Sequence, residues 1–186
     1  MSKQMLSKLR RATVPSSCWK VDTSAEGILD MAEWVNTLRE RRADAEQVPN
    51  VYIQARSRDT VASAIRRAQL YARQAVVVAG MQGRYMTMDT LIQHLSWPPV
   101  TPMYDQAISS RCSPLEVQGS GFLAVTGLEL EVGPDSPPAH RLALAFLHEH
   151  VCEGGLLIAT GRASLEGKPE NELALLLRDT STAYEV

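Results

Sequence analysis

A chain of 186 residues with 45% hydrophobic and 22% charged residues describes an ordinary globular domain, long enough to bury one sizeable core. Its formal net charge of −2 excludes a molecule that binds polyanions through bulk charge alone, and no window approaches the ~18 consecutive apolar residues of a membrane-spanning helix. Cys18, Cys112 and Cys152 are far apart and form no Cys-x-x-Cys pair, so neither a disulfide framework nor a structural zinc site is expected. The opening stretch MSKQMLSKLRR is basic with no apolar run behind it. We therefore expect no secretory signal and a cytoplasmic setting.

Charge is unevenly distributed. Residues 1–84 carry 14 Lys/Arg against 8 Asp/Glu, and residues 85–186 carry 5 against 13. A bipolar chain of this kind can stack head to tail on a copy of itself, or present its basic half to an acidic partner.

The first 20 residues read as a short basic segment, and residues 21–186 as one α/β domain. Thr23 to Glu26 has capping-box spacing, and Ile28, Met31, Ala32, Val35 and Leu38 then recur at helical intervals. Val51 to Ala55 is a short strand. Val61, Ala64, Ile65, Ala68 and Tyr71 mark a helix, and the apolar run Ala75 to Ala79 reads as a second strand covered on both sides. Gly80-Met81-Gln82-Gly83-Arg84 reads as a tight turn after it. Met88, Leu91, Ile92 and Leu95 give a helix stopped by Trp97-Pro98-Pro99. Gly121 to Thr126 is a third strand, and Pro137-Pro138 opens a helix containing Leu142, Ala145, Phe146 and Val151. Leu156 to Thr160 is a fourth strand, and Glu172 to Leu177 a last short helix. Strands alternating with helices predict a parallel sheet with helices on both faces.

In such a sheet, ligands sit at the carboxyl ends of the strands. Four segments therefore matter: those after Ala55, Ala79, Thr126 and Thr160. The approach to the first strand, Ala12-Thr13-Val14-Pro15-Ser16, a helix and then Asn50-Val51-Tyr52-Ile53, resembles the start of the ATPase domain in DnaC-type helicase loaders and IstB-type transposition ATPases. The third strand with its sequel, Phe122 to Glu129, resembles the segment carrying the Walker B acids. The fourth, Leu157 to Arg162, resembles the strand that ends in a polar sensor. The resemblance spans about residues 12–178 and implies a P-loop NTPase-like (AAA+/RecA-like) fold, with Arg162 and Arg178 where that family keeps sensor and interface arginines.

The departures shape the functional expectation. A phosphate cradle needs glycines whose backbone N–H groups converge, and a lysine that reaches the β- and γ-phosphates. After the first strand this chain has Gln54-Ala55-Arg56-Ser57-Arg58-Asp59-Thr60, with neither glycine nor lysine. Arg56, Arg58 and Thr60 offer partial compensation, and Asp59 adds a negative charge. Thr126 stands where a magnesium-holding acid would be, with Glu129 and Glu131 displaced beyond it. Phosphoryl transfer depends on those missing parts. The expectation is a non-catalytic ATPase-like protein, without cofactor or metal, that regulates or assists a replicative helicase or related ATPase in DNA replication or a mobile element.

Two alternatives stand beside it. One is a DNA-binding module using Arg39, Arg41, Arg42, Arg56, Arg58, Arg66, Arg67 and Arg73 on phosphates, although aromatic residues are sparse. The other is an atypical nucleotide enzyme with Glu129 as base. Elsewhere, His148 and His150 are two residues apart and do not share a helix face, so metal ligation is not expected there. His94 and His140 are isolated, Cys112 has no evident base beside it, and Gly119-Ser120-Gly121 precedes a strand rather than opening a helix.

Overall fold

The computed structural model describes residues 2–19, 29–43, 49–96, 121–133, 136–166 and 171–186, with the backbone alone at 29, 30, 41–43 and 96. Its elements are α1 (Lys3–Arg11), a 3₁₀ turn (Ser16–Cys18), α2 (Leu29–Ala43), β1 (Asn50–Gln54), α3 (Val61–Val77), β2 (Gly83–Thr87), α4 (Met88–Ser96), β3 (Phe122–Leu128), α5 (Pro138–Cys152), β4 (Leu156–Gly161), α6 (Glu172–Thr180) and β5 (Ser181–Glu185). The five strands form one sheet in the order β2-β3-β4-β1-β5, and every pairing is parallel.

Period-two alternation divides the core. Val51, Ile53, Phe122, Ala124, Leu156 and Ile158 point to one face, where they meet Leu70, Tyr71 and Ala75 of α3, Trp34 and Leu38 of α2, and Leu9 of α1. Tyr52, Leu123, Val125, Leu157 and Ala159 point to the other, against Leu91 of α4, Leu147 of α5 and Leu177 of α6. Both faces of the three central strands are thus covered, which is why each reads as a continuous apolar run.

The second strand is not where the apolar run suggested. Ala75, Val76 and Val77 are the last turn of α3, whose buried face runs through Ala64, Ala68, Tyr71, Ala72, Ala75 and Val76. A short apolar run fits a buried helix turn as well as a buried strand, and here the preceding helical period simply continues. The helix ends as Val78 and Ala79 N–H groups both donate to the Gln74 carbonyl and Gly80 takes φ +65°. The strand proper begins at Gly83, inside the stretch read as a turn. A Cβ at Gly83 would collide with the Phe122 backbone and ring on β3, so this close approach demands glycine.

Four further features differ from the sequence reading or add to it. The C-terminal residues form a fifth strand, β5, beside β1. The basic N-terminal segment contains α1, capped by Ser2 accepting from the Met5 N–H, and its Leu9, Ala12, Val14 and Cys18 join the α3 core. In α5, Leu142 is 50% exposed, and Ala145 is exposed too; the buried set is His140, Ala143, Leu144, Leu147, His150 and Val151. In α2, Ala32 is exposed and Trp34 takes its place inside, donating to the Pro49 carbonyl at 3.2 Å. The Thr23–Glu26 capping box, the Trp97-Pro98-Pro99 stop, Cys112 and Gly119-Ser120 lie outside the described residues.

The segment after α1 covers the β2 edge. The Tyr85 N–H donates to the Ala12 carbonyl at 2.8 Å, and Thr13, held at φ +55°, bonds the Tyr85 carbonyl through its hydroxyl. A sheet edge closed this way is protected from pairing with other chains. Among the described residues, no helix is long and apolar enough to cross a membrane.

Candidate functional site

Strands β1 and β4 are neighbours, yet their connections leave in opposite directions. From β1 the chain crosses under β4 and β3 through α3 to reach β2, whereas from β4 it returns through α6 to β5. A crevice opens outside the carboxyl ends of strands at such a switch point. Here it is a cavity of about 570 Å³, within the usual range for ligand sites. Ala55 and the first turn of α3 (Val61, Ala64, Ile65) form one wall; residues 127–131 after β3 and 160–163 after β4 form the rest.

A β-bulge shapes the β3 side. Val125 lies opposite Ala159 and Leu128 opposite Gly161, so β3 holds one residue more than β4 over that interval. Gly127 takes up the extra residue at φ +73°, and its N–H donates to the Thr160 hydroxyl at 3.2 Å. Beyond the bulge the chain alternates, with Leu128 and Leu130 buried and Glu129 and Glu131 exposed at the rim. Gly161 is fixed by space, because a Cβ there would meet the Tyr52 hydroxyl at 2.5 Å and the Leu128 carbonyl at 2.6 Å.

The rim backbone is held from beneath by four side chains. His140, on α5, donates from Nε2 to the Glu129 carbonyl at 2.8 Å. Asn171, the N-cap of α6, donates to the Leu130 carbonyl while accepting from the Ala174 N–H. Tyr52 donates to the Ala163 carbonyl at 2.8 Å, and burial pushes its phenol far above the ordinary range, keeping the donor proton in place. Gln54 donates to the Arg162 carbonyl at 3.2 Å. The loops are therefore rigid, yet Glu129, Glu131 and Arg162 have no ion-pair partner among the described residues.

Of the residues singled out in the sequence, the structure brings Glu129, Glu131 and Arg162 to the crevice. Arg56, Arg58 and Asp59 follow β1 as expected but are exposed, and Arg56 pairs with Glu185 on β5 while its N–H donates to the Val186 carbonyl. Thr60 turns back on its own loop, accepting from the Ser57 N–H and donating to the Ser57 carbonyl. Thr126 is 3% exposed, lies opposite Thr87 of β2, and does not line the cavity. Arg178 lies on α6 and pairs with the adjacent Asp179 at 2.9 Å.

The arginines of α3 are engaged within the protein. Arg66 donates to the Cys18 thiol at 2.8 Å, Arg67 stacks on the Tyr184 ring at 4.7 Å, and Arg73 donates to the Trp19 carbonyl at 3.4 Å. Burial lowers the Arg73 pKa from its usual value. Arg39 is exposed on α2, whereas the side chains of Arg41 and Arg42 lie outside the described residues.

The histidines at the end of α5 diverge as their spacing implies. His148 sits 3.7 Å from the exposed Cys152 thiol, whereas His150 is only 4% exposed, not on a solvated helix end, and donates to the Leu156 carbonyl at 3.3 Å. Among the described residues, no three His, Cys, Asp or Glu side chains are grouped to hold a metal ion.

Sequence reading missed Thr160, Gln54 and Asn171 as parts of the site. Asn171, three residues before Ala174, did carry an N-cap signal; the other two are identified only by what the fold puts beside them. The fold and crevice define an α/β protein with a cleft at the carboxyl ends of a parallel sheet. No protein-family model matches the chain, and a search of curated proteins finds no match to it.

Proposed function

We propose that this chain is a non-catalytic protein on a P-loop ATPase-like fold that acts through protein–protein contacts in the cytoplasm. In this reading it assists or regulates a replicative helicase or a related ATPase, in DNA replication or on a mobile element. The observation that supports the reading most is a convergence. The segments that stand where the resemblance would put a P-loop, the Walker B acids and the sensor follow β1, β3 and β4, three adjacent strands, and Ala55, Glu129 and Arg162 from them line one crevice. A nucleotide site would need that juxtaposition.

The chemistry at the crevice is wrong for phosphate. A polyphosphate with magnesium requires converging backbone N–H groups, a lysine and an acid aimed at the metal. The loop after β1 instead ties its Arg56 to Glu185 and folds Thr60 onto Ser57, and on β3 Thr126 is buried beside β2. The exposed carboxylates of Glu129 and Glu131, without ion-pair partners among the described residues, would repel an anion. The engagement of Arg66, Arg67 and Arg73 inside the protein gives the DNA-binding alternative less support than their count suggested.

A thermal-shift titration with Mg²⁺ and ATP or ADP tests the reading. A nucleotide present at 100 times its dissociation constant would add about 2.7 kcal/mol, worth roughly 5–10 °C for a domain of this size. We expect no shift at millimolar nucleotide, and binding of a purified replicative helicase or partner ATPase at micromolar concentration. A clear shift together with nucleotide hydrolysis that is abolished in Glu129→Gln would instead favour the enzyme, and absence of any binding to either partner would remove the accessory role.

A further inference from the structure

Charged side chains at a rim normally find partners or project into solvent from mobile loops. At this crevice two carboxylates and one guanidinium lack ion-pair partners among the described residues, while their backbone is fastened by His140, Asn171, Tyr52 and Gln54. Rigid loops that carry uncommitted charges are the arrangement a binding site requires, because the ordering cost has been met before the ligand arrives. Beneath the charges the α3 wall is apolar, with Val61 and Ile65 half-buried, whereas the Leu128 and Leu130 side chains are buried in the core on the opposite face of the sheet. At the floor, the Thr160 hydroxyl is 4% exposed and accepts from the Gly127 N–H, and its own proton has no acceptor among the described residues.

We infer that this crevice docks an extended segment of a partner protein in which a bulky apolar residue stands next to a lysine or arginine. Each part of that ligand answers a feature of the site. The apolar side chain fills the space between α3 and the 128–130 segment, and a backbone carbonyl accepts from Thr160. The cation lies between Glu129 and Glu131, which outnumber Arg162 and give the mouth a negative bias. Arg162 remains for a carbonyl or an acidic neighbour along the same segment. The inference rests on the proposed reading of this crevice as a protein-contact site that no longer holds nucleotide.

Amide chemical shifts of the ¹⁵N-labelled full chain, titrated with acetyl-Leu-Lys-amide and with acetyl-Leu-Glu-amide, test it. We expect the lysine peptide to move the amides of Gly127, Glu129, Gly161 and Arg162, and the glutamate peptide to bind at least fivefold more weakly. In the Glu129→Gln/Glu131→Gln variant, affinity for the lysine peptide should fall about fivefold, the loss expected of two exposed ion pairs. That variant should fold normally, because His140 holds the Glu129 backbone carbonyl and not its side chain. Equal binding of the two peptides, shifts located elsewhere, or no shifts at millimolar peptide would overturn the inference. Mg²⁺-ATP run in the same spectra separates the two readings. Shifts between Arg56 and Ala64 with nucleotide would remove the non-catalytic reading, whereas silence toward both nucleotide and peptides would remove the docking inference alone.

Discussion

The two ends of the parallel sheet are built on opposite terms. At the amino end, polar groups are buried and answered. Asn50, fully buried, donates to the Thr180 hydroxyl at 2.9 Å and accepts from the Leu157 N–H at 2.8 Å, joining β1, β4 and the end of α6. His150 donates to the Leu156 carbonyl with its ring packed on Gly155, where a side chain would have no room. At the carboxyl end, the backbone is tied as well, but Glu129, Glu131 and Arg162 have no ion-pair partner among the described residues around a cavity. A satisfied buried network specifies and stabilises a fold, whereas fixed loops with unanswered charges are available to a ligand. The contrast assigns stability chiefly to one end and recognition to the other, and substitutions can test that division.

The largest effect should come from Asn50→Ala. It removes a buried donor and a buried acceptor at once and leaves the Leu157 N–H unanswered in the core, which costs about 2–4 kcal/mol. Urea denaturation should show a lower midpoint with an unchanged slope. A loss below ~1 kcal/mol would mean that the amino end does not carry the stability assigned to it. Gly161→Ala follows at about 1–3 kcal/mol, because the added methyl overlaps the Tyr52 hydroxyl and the Leu128 carbonyl. This carboxyl-end substitution sharpens the comparison, since it strains the scaffold under the crevice and should alter the amide shifts of Leu128 and Ala163 together with the unfolding midpoint.

The legibility of these ends in the sequence differed for physical reasons. Strands β1, β3 and β4 stood out because both of their faces are covered, so Val51–Ile53, Phe122–Val125 and Leu156–Ala159 are apolar without interruption. The same texture at Ala75–Val77 is a helix turn, and the true second strand, with only Met86 fully inside, has almost no apolar pattern. Strand β5, with Thr182, Ala183 and Glu185 exposed, is invisible for the same reason. Glu129 and Arg162 could be placed because strands β3 and β4 were legible, although β3 runs two residues past Thr126 and β4 one past Thr160, where the sequence reading ended them. Arg56 and Arg58 also follow such a strand, but pairing across to β5 turns that loop away, and β5 was not foreseen. The supports beneath the rim join residues as far apart as Tyr52 and Ala163, a relation that no local pattern encodes.

A smaller effect at the amino end depends on pH. Burial lowers the His150 pKa, partly countered by its bond to the Leu156 carbonyl. Above the ordinary histidine value of about 6.5, the folded and unfolded states both hold the ring neutral and its contribution to stability is complete. As pH falls through that value toward the lowered folded one, the unfolded chain takes up a proton that the folded chain resists, and stability declines. Denaturation midpoints at pH 7.5 and 5.5 should therefore fall further in the native protein than in His150→Gln. Parallel profiles would show that this imidazole is not what the amino end protects from protonation.

The smallest stability effect, and the sharpest test of the division between the two ends, is that of Glu129→Gln/Glu131→Gln. Both carboxylates are exposed and have no ion-pair partner among the described residues, and the hydrogen bonds that fasten their segment run to the carbonyls of Glu129 and Leu130, which the substitution leaves untouched. Nothing in the folded state is lost, so the unfolding free energy should change by no more than about 0.5 kcal/mol. Removing two negative charges beside Arg162 should nevertheless make the crevice mouth less negative, reversing its preference between cationic and anionic probes at low ionic strength. A loss of several kcal/mol in this variant would place structural weight on the rim carboxylates and erase the distinction between the closed end of the sheet and the open one.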